Sequence, residues 1–149
     1  MKKNLKVTIF TVGLLAVLSA CTSGSDNSAS ETSAVSVALV MSGSITDGGW
    51  NQSAYLGLEE LKSEGFDTKY SENVPQADTS SAVEGYAKDG IDLIIGHGYE
   101  FGSVVSELAP KYPDSKFFAT TFNPDASIKI PSNLAFVDVQ YYKASFTTG

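Results

Sequence analysis

Two short clusters hold most of the side chains suited to recognising a small molecule. The first is Asp47, Trp50 and Asn51, set among small polar residues in SGSITDGGWN. The second is His97, Gly98, Tyr99 and Phe101, in GHGYEF. A carboxylate, an amide and an imidazole supply donors and acceptors, while the indole, phenol and phenyl rings supply flat faces. That mixture suits a neutral, planar, polar ligand. Each residue also has a plainer reading. Asp47 stands where a helix N-cap would, accepting backbone N–H bonds. Trp50 heads an apolar stripe and fits a core position as well as a stacking one. Gly-His-Gly also serves as a tight strand-to-helix turn, and Tyr99 and Phe101 are divided between stacking on a ligand ring and packing beneath a helix.

Bond-making chemistry is poorly supplied. His97 is the only histidine and Cys21 the only cysteine, so neither a metal-ligand set nor a Cys/His pair is expected. There is no nucleophile elbow or phosphate loop, and Gly96-His97-Gly98 lacks the third glycine of a dinucleotide fingerprint. No catalytic residue, metal or cofactor is expected, and an enzyme ranks below a binding protein. Seventeen acids stand against ten basic residues, all lysine, for a formal charge of −7. Such a surface repels phosphate backbones and lacks arginine's bidentate fork, so nucleic acid and anionic ligands are not expected partners.

The start of the chain has a different character. Lys2, Lys3 and Lys6 precede an apolar run over residues 7–18, the order of a secretory signal. The run falls short of the roughly 20 residues a membrane span needs. It ends in Leu18-Ser19-Ala20-Cys21, which resembles a bacterial lipobox and implies lipidation of Cys21. Residues 1–20 are then a cleaved signal peptide and 21–33, rich in Ser, Thr, Asn and Gly, a flexible tether. The expected location is the extracytoplasmic face of the cell membrane, held by the lipid.

The two clusters must be positioned by what lies between them. Residues 35–41 (VSVALVM) are apolar on both parities, as in a strand covered on both faces. After a loop over 42–49, Trp50, Ala54, Leu58 and Leu61 recur at helical spacing up to Gly65. Strands are expected at 66–73, 91–96, 116–121 and 133–139. Helices are expected at 78–88 and from about 100 to 112, the latter ending or kinking at Pro110. Alternating strands and helices call for a parallel sheet with helices on both faces. In such a sheet ligands bind at the carboxyl ends of the strands. Three loops meet there: 42–51, 97–101 and, as a weaker candidate, 122–125.

The run over 37–58, VALVMSGSITDGGWNQSAYLGL, resembles the basic membrane lipoprotein family, which includes the purine nucleoside receptors of bacterial ABC importers. Residues 96–101 followed by 109–117 (APKYPDSKF) are similar to that family's second signature, and 142–149 (YKASFTTG) to its third. The resemblance implies an α/β, three-layer doubly wound parallel sheet, the first lobe of a type I periplasmic-binding-protein fold over 34–140, with 141–149 as a hinge or the start of a second lobe. It implies a nucleoside-like ligand, ABC permease partners, and Asp47 and Asn51 as polar contacts to base or ribose, with Trp50 in place of the family's usual Phe. A surface-exposed sensor or host-interaction lipoprotein keeping the lobe without transport is the alternative. Since only the first lobe is matched, the chain alone is expected to bind weakly, and strand five to be a poorly covered edge prone to association.

Overall fold

A computed structural model describes residues 34–127 and 129–138. The signal, the tether, Cys21 and the hinge segment 141–149 lie outside the described residues. Within them the order is β1 (Ser36–Met41), α1 (Trp50–Ser63), β2 (Asp67–Ser71), α2 (Thr79–Lys88), β3 (Leu93–His97), α3 (Phe101–Leu108), β4 (Lys116–Thr120) and β5 (Leu134–Val137). The five strands form one parallel sheet in the order β2-β1-β3-β4-β5. This is the α/β doubly wound arrangement. Its connections reverse direction between β1 and β3, so the carboxyl ends of those two strands flank the switch point of the sheet.

Strand alternation divides the core. Ala38, Val40, Ile94, Phe117, Ala119 and Leu134 face α2 and α3 and are buried with Val83, Val105 and Leu108. Val37, Leu39 and Met41 face α1 and are buried with Leu58. Burying one such side chain fully contributes about 1.5–3 kcal/mol, so this double-sided burial makes β1 the anchor of the sheet. The α1 face is less completely covered. Beyond β1, an apolar groove of about 460 Å³ runs along Leu93, Ile95, Phe118 and Ala135.

The boundary of the third helix moves for a physical reason. The third helix stops at Leu108 and passes into a 3-10 turn over Ala109–Lys111 that contains Pro110, because proline has no N–H to continue the α-helical ladder. Buried Asn133 directs its amide nitrogen at the carbonyls of Ala109, Tyr112 and Ser115, at 2.8, 3.1 and 3.0 Å. It thereby ties the 3-10 turn and the segment after it to the start of β5. Among the described residues the fifth strand covers Leu134–Val137.

Candidate functional site

The β1–α1 and β3–α3 turns stand side by side at the carboxyl rim, in register through the Met41–His97 pair. The first is organised by one carboxylate. Asp47 Oδ1 accepts the N–H groups of Gly49 (2.8 Å) and Gln52 (3.0 Å), and Oδ2 accepts the backbone and side-chain N–H of Asn51 at 2.9 and 2.8 Å. These bonds, led by the Asn51 backbone N–H, hold the Asp47 carboxyl far below the usual carboxylate range. Four donors fill the roughly four acceptor positions a carboxylate offers. The N-cap of α1 is Gly49, two residues further on, so Asp47 is not itself the N-cap residue. Its carboxylate takes the N–H groups at the helix start from the preceding loop, and a direct ligand contact would have to displace an internal bond.

Asn51 is 9% exposed. Its amide donates to Asp47, which fixes which end is nitrogen, and Oδ1 has no protein donor among the described residues. Gly43 lies so close that a Cβ there would strike the Asn51 amide. Glu72, at the end of β2, accepts the Ile45 N–H at 2.9 Å and ties the loop down. Sequence reading singled out neither Gly43 nor Glu72. A glycine at the first turn after a strand was the available signal for one, and nothing local pointed to the other.

Trp50 opens α1 and is 40% exposed, so it is not a buried core residue. Its ring stacks on His97, with centroids 4.1 Å apart and planes inclined by 19°. His97 is 7% exposed. Its Nε2 lies 3.1 Å from the Trp50 carbonyl oxygen and its Nδ1 3.2 Å from the Thr120 hydroxyl. Burial holds the imidazole below the ordinary histidine value, outweighing the upward pull of the Trp50 carbonyl and of the Glu100 and Asp47 carboxylates. His97 sits behind the tryptophan and, although it begins the 97–101 candidate loop, does not lie open at the rim.

The second turn is built on missing side chains. Gly96 packs so tightly that a Cβ would strike Phe101, and Gly98 has φ 144, with the Glu100 carboxylate 2.6 Å from where a Cβ would stand. Only glycine fits both demands. Gly98 is buried. Phe101 is 0% exposed and belongs to the α2/α3 core. Its candidacy as a ligand contact is corrected accordingly, because Gly96 admits the ring into the interior. Tyr99, in contrast, is exposed and lies 5.5 Å from Phe122, which in turn lies 5.1 Å from Phe136.

The 122–125 loop borders a hollow of about 420 Å³ at the ends of β4 and β5, lined by Phe122, Phe136, Asp125 and Asp138 among others. Thr121, just before it, adopts φ 58. For a β-branched residue that costs on the order of 1–3 kcal/mol. The chain thereby turns and lays the Phe122 ring over Gly102, where a Cβ would collide with it. Of the residues singled out from sequence, Asp47, Trp50 and Tyr99 are at the surface of the rim, while Asn51, His97, Gly98 and Phe101 lie beneath it.

Comparison with known proteins bears on this geometry. The model of the family described as ABC transporter substrate-binding protein PnrA-like matches residues 34–149. An uncharacterized lipoprotein of Pyrococcus abyssi is 31% identical over 119 residues, covering 78% of this chain and 30% of that protein. The transcriptional activator protein med of Bacillus subtilis is 32% identical over 83 residues, covering 54% and 26%. This chain thus spans less than a third of either relative's length. Among solved structures, an ABC transporter solute-binding protein from Conexibacter woesei superposes with a TM-score of 0.61 at 29% identity, covering 69% of this chain and 34% of that one. With the family matched across the whole described body, the chain belongs to the PnrA-like family of ABC transporter substrate-binding proteins.

Proposed function

We propose that this chain is the first lobe of a lipid-anchored substrate-binding subunit of an ABC importer, and that its rim at the β1/β3 switch point captures a nucleoside or similar neutral polar molecule without altering it. The observation that carries the reading is Trp50, an indole partly open at the amino end of α1 and backed by a stacked imidazole. A flat aromatic surface held at a helix start offers a base its π-face. The nearby Asn51 Oδ1, an acceptor without a donor among the described residues, matches an N–H or O–H of such a ligand once the rim adjusts, since a buried unmet acceptor costs about 1–3 kcal/mol. Tyr99, exposed in the β3–α3 turn, adds a second aromatic ring to the rim. Asp47 shapes the turn.

The filled Asp47 carboxylate and the absence of lysine among the named rim residues favour an uncharged ligand over an anion. Lipidation at Cys21 would place the lobe outside the membrane, beside permease subunits. No helix among the described residues is long and apolar enough to cross a membrane, which is compatible with anchoring by lipid. The likeness to a transcriptional activator leaves a second reading, a lobe that senses the same class of ligand without transport. Calorimetry of the full-length protein against a panel of purine and pyrimidine nucleosides tests the ligand assignment. Saturable heat with at least one nucleoside is expected, and no heat with any would remove it.

A further inference from the structure

His97 is the only histidine in the chain and Trp50 the only tryptophan, and the fold brings them into face-to-face contact across 47 positions of sequence. The contact follows from the strands. His97 ends β3 on the α1 face, opposite Met41 of β1, and α1 begins at Trp50 directly above it. Its ring nitrogens meet unlike partners. A carbonyl oxygen only accepts, so the Nε2 facing the Trp50 carbonyl at 3.1 Å carries the hydrogen. Nδ1 is then the acceptor, and the Thr120 hydroxyl donates to it at 3.2 Å. The neighbours select one neutral tautomer and hold it in place from β4.

We propose that His97 is a positioning residue for the binding rim: its neutral Nε2–H imidazole clamps Trp50 by backbone and by ring, and so fixes the plane on which a ligand ring stacks. The part that concerns the ligand rests on the reading of Trp50 as the stacking surface. The clamp itself rests only on the contacts above. Protonation loosens it on one side, because the Thr120 hydroxyl must turn from donating to Nδ1 to accepting from it and a charge is placed in a site 7% exposed, while the Nε2–H bond to the Trp50 carbonyl and the stack remain. Among the described residues, the carboxylates that act on the ring's charge are Glu100 from the β3–α3 turn and Asp47 from the β1–α1 turn. Met41 of β1 and Thr120 of β4 bring no charge. Both carboxylates favour the cation, yet burial prevails over them.

The sole tryptophan and sole histidine make the test clean in the 149-residue chain. Nitrogen-15 spectra of the imidazole are expected to show the Nε2–H tautomer at neutral pH. Trp50 emission is expected to fall as pH drops, through a single midpoint below the ordinary value of 6.5, because a stacked imidazolium quenches indole. His97→Gln, which keeps an N–H near the Trp50 carbonyl but cannot titrate, is expected to abolish the transition. In the full-length protein, adenosine affinity is expected to weaken severalfold below that midpoint and to become insensitive to pH in His97→Gln. An Nδ1–H tautomer, an emission that ignores pH, or adenosine binding unchanged across the transition would overturn the clamp. The two failures separate. Absence of nucleoside binding at every pH sinks the ligand reading, while tautomer and emission still decide whether His97 holds Trp50.

Discussion

The two turns that build the rim reach rigidity by opposite means. The β1–α1 turn is held by a side chain, the Asp47 carboxylate drawing in four N–H groups, with Glu72 bracing it from β2. The β3–α3 turn is held by the absence of side chains at Gly96 and Gly98, which lets Phe101 fill the space beneath. An electrostatic turn can be loosened by removing charge and leaves the core untouched. A packed turn ignores charge, and any added atom is felt through the interior.

The sharpest way to break this contrast is to damage the packed turn. Phe101→Ala should destabilise the fold by about 3–5 kcal/mol, read from urea unfolding. Gly96→Ala should cost about 1–3 kcal/mol by overpacking against the same ring. A variant as stable as the parent would show that the packing is not as tight as described.

Next in size is the charged turn. The Asp47 carboxyl is depressed in the folded chain, first by the Asn51 N–H. Its contribution to stability is therefore complete above the unfolded value of 3.8 and is lost as pH falls below that toward the folded value. Asp92, Glu84 and Asp125 are depressed too, so the diagnostic quantity is a difference. Between about pH 5 and about pH 3, the parent should lose more stability than Asp47→Asn, and the gap between them should narrow. A constant gap would mean that the carboxylate is not what holds the turn. The smallest effect belongs to Tyr99→Ala, which should change stability by no more than about 0.5 kcal/mol because the side chain is exposed, while weakening nucleoside binding in the full-length protein.

The order of the elements was legible because each signal was local. The unbroken apolar run of β1, the helical stripe beginning at Trp50 and the Asp47 carboxylate just ahead of the α1 start all lie within short stretches of sequence. What escaped notice depends on partners far along the chain. Thr120 matters because the sheet puts β4 beside β3, and Glu72 because β2 returns next to β1. His97 was recognised as part of the rim but not as the support behind Trp50, since its depth follows from which face of β3 it occupies. Phe101 was ambiguous until Gly96 was seen to leave room for it.

The account turns on whether the Trp50 indole, seated on His97, is the surface a ligand meets. Titrating the full-length protein with adenosine, alongside Trp50→Ala and Trp50→Phe, tests this most directly. The account predicts saturable binding, lost by roughly tenfold or more in Trp50→Ala, as removal of a stacking contact worth about 1–3 kcal/mol per base requires, and largely kept in Trp50→Phe. Equal affinity in all three proteins would contradict it.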